Sequence, residues 1–134
     1  MSQVSTFVMF QGEAQRAIDL YSQVFERFRL MQVQHYDPTP DGRRLIKHAS
    51  IDFDRQNLVF TDSPISHDFS FTPAVSLFIN LTNEEALERA FHRLAEGGKV
   101  LMPLDDYGFS ARFGWLNDRF GLSWQLNVPA GDLP

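Results

Sequence analysis

Residues 81–100, LTNEEALERAFHRLAEGGKV, decide the fold, because the pattern they carry occurs twice in the chain. Ala86, Leu87, Ala90, Phe91, Leu94 and Ala95 recur at helical spacing and make one apolar stripe. Thr82 and Glu85 have the spacing of a capping box, and Gly97-Gly98 ends the helix. Moved back by 69 residues, Ala86-Leu87-Glu88 falls on Ala17-Ile18-Asp19, Leu94 on Phe25 and Leu77 on Val8. The earlier helix follows Gly12 and carries Ala14, Ala17, Ile18, Tyr21, Val24 and Phe25 at the same kind of spacing, with a less definite cap.

Strand-like alternation surrounds both helices, at 5–10, 30–36, 45–53, 57–61, 74–81, 112–117 and 122–128, with a further strand from Lys99 that ends before Pro103. The order is strand, helix, three strands, and then the same again. The fold class expected is therefore α+β, built from two βαβββ modules at 1–62 and 74–134 within a single domain, 1–134. Between them, the stretch from Asp62-Ser63-Pro64 to Thr72-Pro73 is too short for a tether and reads as a crossover between half-modules that share one core.

The bulk composition narrows the function classes. A chain of 134 residues, 43% hydrophobic, suits one domain that folds without covalent staples. The absence of cysteine excludes disulfides, thiolate metal sites and a cysteine nucleophile. A formal charge of −5 with scattered basic residues argues against a nucleic-acid partner. No stretch reaches the roughly 18 apolar residues of a membrane span, and the start lacks a signal-peptide pattern. A soluble, cytoplasmic protein is expected. Eight of the thirteen Phe precede Pro73 and five follow it, so aromatic bulk is supplied to both modules.

Period-2 alternation assigns faces. Ala49, Ile51 and Phe53 form an apolar face opposite His48, Ser50, Asp52 and Ile46; Leu122, Trp124, Leu126 and Val128 oppose Ser123, Gln125 and Asn127. The apolar faces want a helix.

Three segments, FVMFQGEAQRAIDLYSQVF (7–25), HASIDFDRQNLVFTD (48–62) and GGKVLMPLDDYGFSARFGWLNDRFGLSWQLN (97–127), resemble the PhnB-like branch of the vicinal oxygen chelate superfamily, the glyoxalase, bleomycin-resistance and extradiol-dioxygenase fold. The last segment, with MPL, FGW, D-x-F-G and SWQLN, is the most specific. The resemblance implies a curved eight-stranded mixed sheet and a homodimer. It places Thr6, His48, Ser50, Tyr107, Phe109 and Gln125 around a ligand cavity. Superfamily enzymes hold a divalent metal through His and Glu on this face, because the cation needs lone pairs and an open position for substrate oxygens. Those positions carry over to Ser5 or Thr6, Val59 or a neighbour, Val75 or Ser76, and Gln125, none of them His or carboxylate. No metal and no cofactor are expected. Sequences of this branch are also labelled 3-demethylubiquinone-9 3-methyltransferase. Methyl transfer is not expected, because no glycine-rich loop follows a strand and the length does not hold a nucleotide-binding sheet as well.

His48 is the best catalytic candidate, since an imidazole titrates near neutrality; the plainer reading is a strand histidine with a structural hydrogen bond. His35, His67 and His92 read as structural or solvated. Gly108-Phe109-Ser110-Ala111-Arg112 lacks the last glycine of a nucleophile elbow, and Asn80-Leu81-Thr82 is better explained by Thr82 as a helix cap than as a glycosylation site. Asp105 and Asp106 point apart if extended. Tyr107 and Phe109 supply either a stacking surface or core packing. Phe69 and Phe71, in the junction, are expected to close the cavity or cross a dimer seam, or else to pack on their own module. The expected function is small-molecule binding without the superfamily metal. The alternative is a lyase, isomerase or dioxygenase of the same superfamily, using a divalent metal or His48 as acid or base.

Overall fold

An amphipathic helix buries its stripe against the apolar face of a sheet, and each half of this chain does so with its own helix. The computed structural model describes residues 2–130, which divide into two units, one up to Asp68 and one from Phe69 on. The first unit runs β1 (Thr6–Phe10), α1 (Ala14–Val24), β2 (Phe28–His35), β3 (Ile46–Phe53) and β4 (Gln56–Asp62). The second runs β5 (Ser76–Asn80), α2 (Glu84–Ala95), β6 (Lys99–Asp105), β7 (Ser110–Asn117) and β8 (Ser123–Pro129). The βαβββ order is thus present twice. Each unit forms a four-stranded mixed sheet, ordered β1-β4-β3-β2 and β5-β8-β7-β6. In each, the first strand pairs parallel with the last and the other pairs are antiparallel.

The repeat extends to the ladders. Val8 lies beside Phe60 and Leu77 beside Trp124, and both rings are fully buried. In the first unit Phe10, Tyr21, Phe25, Phe28, Phe53 and Phe60 interlock, with ring centroids 5.1–6.1 Å apart along edge-on and tilted contacts. Five of the thirteen phenylalanines are therefore core of this unit alone.

The start of α1 has no side-chain cap from its own N-cap residue, Glu13. The carboxylate of Asp62, buried at the end of β4, takes that role from a distance. Its Oδ1 accepts from Gly12 N at 2.9 Å and Ala14 N at 3.0 Å, and its Oδ2 from Ile46 N at 2.9 Å. One side chain thereby ties the helix start, the β3 start and the β4 end.

Three local expectations are corrected. The N-cap of α2 is Asn83, whose Oδ1 accepts from Ala86 N at 2.7 Å, so the helix starts one residue later than a Thr82 capping box requires. Strand β6 continues through Pro103 to Asp105; as the edge strand of its sheet, and with its register shifting between Met102 and Asp105, it can hold a residue without an N–H. Ile46 lies in the core rather than beside His48, because the β2–β3 register shifts there and the alternation restarts across Lys47.

Candidate functional site

The sheet face turned away from each helix follows from register. In the first unit Phe7, Val59, Ser50 and Gln32 form one row across four strands. His48 lies beside Gln34 and Asp52 beside Arg29, with an ion pair of 3.2 Å between the latter two. His48 and Ser50 thus share a face, His48 exposed and Ser50 half-buried. No described residue hydrogen-bonds the His48 ring. Thr6 pairs with Leu58 and alternates with Val8 and Phe10, so it belongs to the helix side of the sheet. The open face of β1 is instead carried by Phe7, 64% exposed, and Met9.

In the second unit the open face carries Phe78 (β5), Gln125 (β8), Trp115 (β7) and Met102 (β6) in one row, and Asn80, Asn127, Phe113 and Asp105 in the next. Phe113 is buried under three rings. Phe109 and Tyr107 stand edge-on to it at 5.1 and 6.0 Å and lie nearly parallel to each other, and Phe78 is tilted against it at 6.4 Å. Phe78 and Phe109 remain 51% and 58% exposed. Tyr107 is fixed by its hydroxyl, which donates to the Pro103 carbonyl at 2.5 Å.

Several polar groups of this face are held in place. Asn127 Nδ2 donates to Asn80 Oδ1 at 2.9 Å, and Asn127 Oδ1 accepts from the Ser110 hydroxyl. Trp115 Nε1 donates to Ser123 Oγ at 2.8 Å, and Ser123 Oγ pairs with Ser76 Oγ at 2.7 Å. Gln125, half-buried, makes no hydrogen bond to a described residue. Ser110 is buried with its hydroxyl committed, so it is no nucleophile.

Tyr107, Phe109 and Gln125 therefore meet on one face of the second unit, and His48 and Ser50 on one face of the first. Phe78, Phe113 and Trp115 share this face and are not among the residues the sequence reading names; the signal for Phe78 is its pairing with Gln125 once β5 is laid parallel to β8. In the junction Phe69 is 58% exposed, while the Phe71 ring lies 3.8 Å from where a Cβ on Gly121 would sit, in its own unit. His67 N donates to Gln11 Oε1 at 3.2 Å and its Nε2 lies 2.7 Å from Ser63 Oγ.

The donors do not fit the superfamily metal. Of the four strands that would supply ligands, the open faces of β1 and β4 show Phe7, Met9, Asn57 and Val59, and those of β5 and β8 show Ser76, Phe78, Asn80, Ser123, Gln125 and Asn127. These are rings, aliphatics, amides and hydroxyls, without the imidazole or carboxylate that a divalent ion needs. The Asp62 carboxylate points to the helix side and is spent on three backbone donors.

Two βαβββ units with one helix against each mixed sheet are the fold of the vicinal oxygen chelate class. A glyoxylase/bleomycin resistance protein/dioxygenase domain from Frankia sp. EAN1pec has the same fold, with a TM-score of 0.66 at 13% identity over 99% of this chain and 96% of that one. Within the class, the chain belongs to the family described as 3-demethylubiquinone-9 3-methyltransferase, which matches residues 2–127. The PhnB protein of Bacillus cereus is 39% identical and superposes with a TM-score of 0.87, covering 95% of this chain and 99% of that one. Protein YjdN of Escherichia coli is 23% identical over 93% of this chain and 94% of its own length. No helix among the described residues is long and apolar enough to cross a membrane.

Proposed function

We propose that the chain is a cytoplasmic small-molecule binding protein that works as a homodimer and holds its ligand without the superfamily metal. The observation that carries this reading is the open face of the second unit. Two rings more than half exposed, Phe78 and Phe109, flank a buried Phe113, and an unpaired amide, Gln125, stands beside them. Apolar walls with a few placed polar groups are what small-molecule sites are made of. Aromatic rings left in water without a partner are a cost that a bound ligand removes. His48 and Ser50 make a second, more polar surface on the first unit.

Catalysis is less well supported. A general acid or base works when its ring is oriented, and nothing among the described residues orients His48. Methyl transfer from a nucleotide-bearing donor does not suit the loops. Those from β1 to α1 and from β5 to α2 are 11–13 and 81–83, with Gly12 their one glycine. The helix starts they lead into are already engaged, by Asp62 and Asn83.

A compound screen by thermal shift, run before and after exhaustive chelation, tests the reading. Stabilising compounds should stabilise the chelated protein equally, and light scattering at micromolar concentration should give the mass of a dimer. Stabilisation that chelation abolishes and a divalent ion restores would replace metal-free binding with a metal site; a monomer mass would remove the dimer.

A further inference from the structure

We propose that the ligand of the second unit's open face is an uncharged, planar aromatic molecule with a carboxamide-like polar edge. This rests on the binding reading above and adds the chemical class. Alternation projects Phe78, Phe113, Trp115, Gln125 and Asn127 from one side of the sheet, and every one of them is neutral; the charged residues that the register adds to this side, Lys99 and Asp105, are exposed on the edge strand β6. An ionised group set down on this floor would lose water without meeting an opposite charge, which is the costliest form of burial.

The rings favour a flat partner. Tyr107 and Phe109 lie within 17° of parallel, and Phe109 and Phe78 keep more than half of their surface open on two sides of Phe113. A planar ring can stack there in the offset or edge-on arrangements that aromatic pairs prefer. The polar edge follows from which groups are free. Asn127 spends one N–H on Asn80 and its Oδ1 on Ser110, and Trp115 spends its one N–H on Ser123, whereas the Gln125 side chain keeps both its donors and its acceptor. An amide edge satisfies both at once; a carboxylate offers no donor and an ammonium no acceptor.

The rim argues against anions in particular. Asp105 lies beside Phe113 in the ladder and Asp106 follows it, and both carboxylates are exposed. Each already accepts a backbone N–H at 2.7 Å, from Asp106 and Gly108 respectively. They disfavour a negative ligand, though only weakly, because exposure to water screens their repulsion of an anion as much as their attraction of a cation.

The test is calorimetric titration of the full chain at low salt with three isosteric probes: naphthalene-2-carboxamide, naphthalene-2-carboxylate and 2-naphthylmethylammonium. The carboxamide should bind about tenfold or more tighter than either charged probe. Gln125→Leu should shrink that preference, and Phe109→Ala, at an exposed ring whose loss leaves the core intact, should weaken all three. A charged probe that binds as well as or better than the carboxamide, with sensitivity to Phe109→Ala, overturns the ligand class and leaves the binding reading standing. No binding of any probe, or binding indifferent to both Phe109→Ala and Phe78→Ala, overturns both.

Discussion

The buried carboxylate of Asp62 joins three separate parts of the first unit. Replacing it by Ala leaves three donors, Gly12 N, Ala14 N and Ile46 N, without their acceptor, two of them in fully buried hydrogen bonds. The expected loss is about 3 kcal/mol, read from urea unfolding. A loss under about 1 kcal/mol would mean that water or another group replaces the carboxylate at little cost. This role was not legible in the sequence, where Asp62 opens a proline-containing junction, because its partners lie 16, 48 and 50 residues away. Asp118 is a parallel case: it accepts from Phe120 N and Leu122 N at the β7–β8 turn and from the Trp124 indole. The candidate residues show how sharp the limit is. Gln125 was placed on the right face by alternation within its own strand. Thr6, placed by resemblance, is one residue from Phe7, and one residue is the difference between the two faces of a strand.

At the scale of elements, both helices and all eight strands were legible, because periodicity is a property of the side chains themselves. What was not legible depends on contacts between elements. The bulge that buries Ile46 exists because β3 has to match β2, and the strand through Pro103 survives because β6 has no neighbour on one side. The close approach of α2 to its sheet belongs here too. A Cβ on Gly114 would meet the Phe91 ring at 2.5 Å and Leu104 Cδ2 at 2.7 Å. Gly114→Ala is therefore expected to destabilise the second unit by about 1–3 kcal/mol. Adding Phe91→Leu should recover part of that loss in a double-mutant cycle. Strict additivity of the two substitutions would show that the helix does not rest on this glycine.

For the whole molecule, the thirteen phenylalanines serve both the core and the open faces. In the first unit five are core, gathered around Tyr21, and Phe7 stands on the open face; in the second, Phe91 is core, and Phe78, Phe109 and Phe113 stand on the face that no helix covers. The distribution of eight and five along the sequence does not show this, since counts carry no information about which side of a sheet a ring occupies. The two units share one architecture and differ in what their open faces offer: an imidazole and an ion pair occur on the first, and a cluster of rings around Phe113 on the second. The most direct test of ligand binding on the second unit is NMR mapping of a stabilising compound onto the assigned full chain. The expected result is saturable shift changes concentrated at 76–80, 107–115 and 123–127, with the largest at Phe78, Phe109 and Gln125. Saturable changes confined to residues outside those three segments would contradict it.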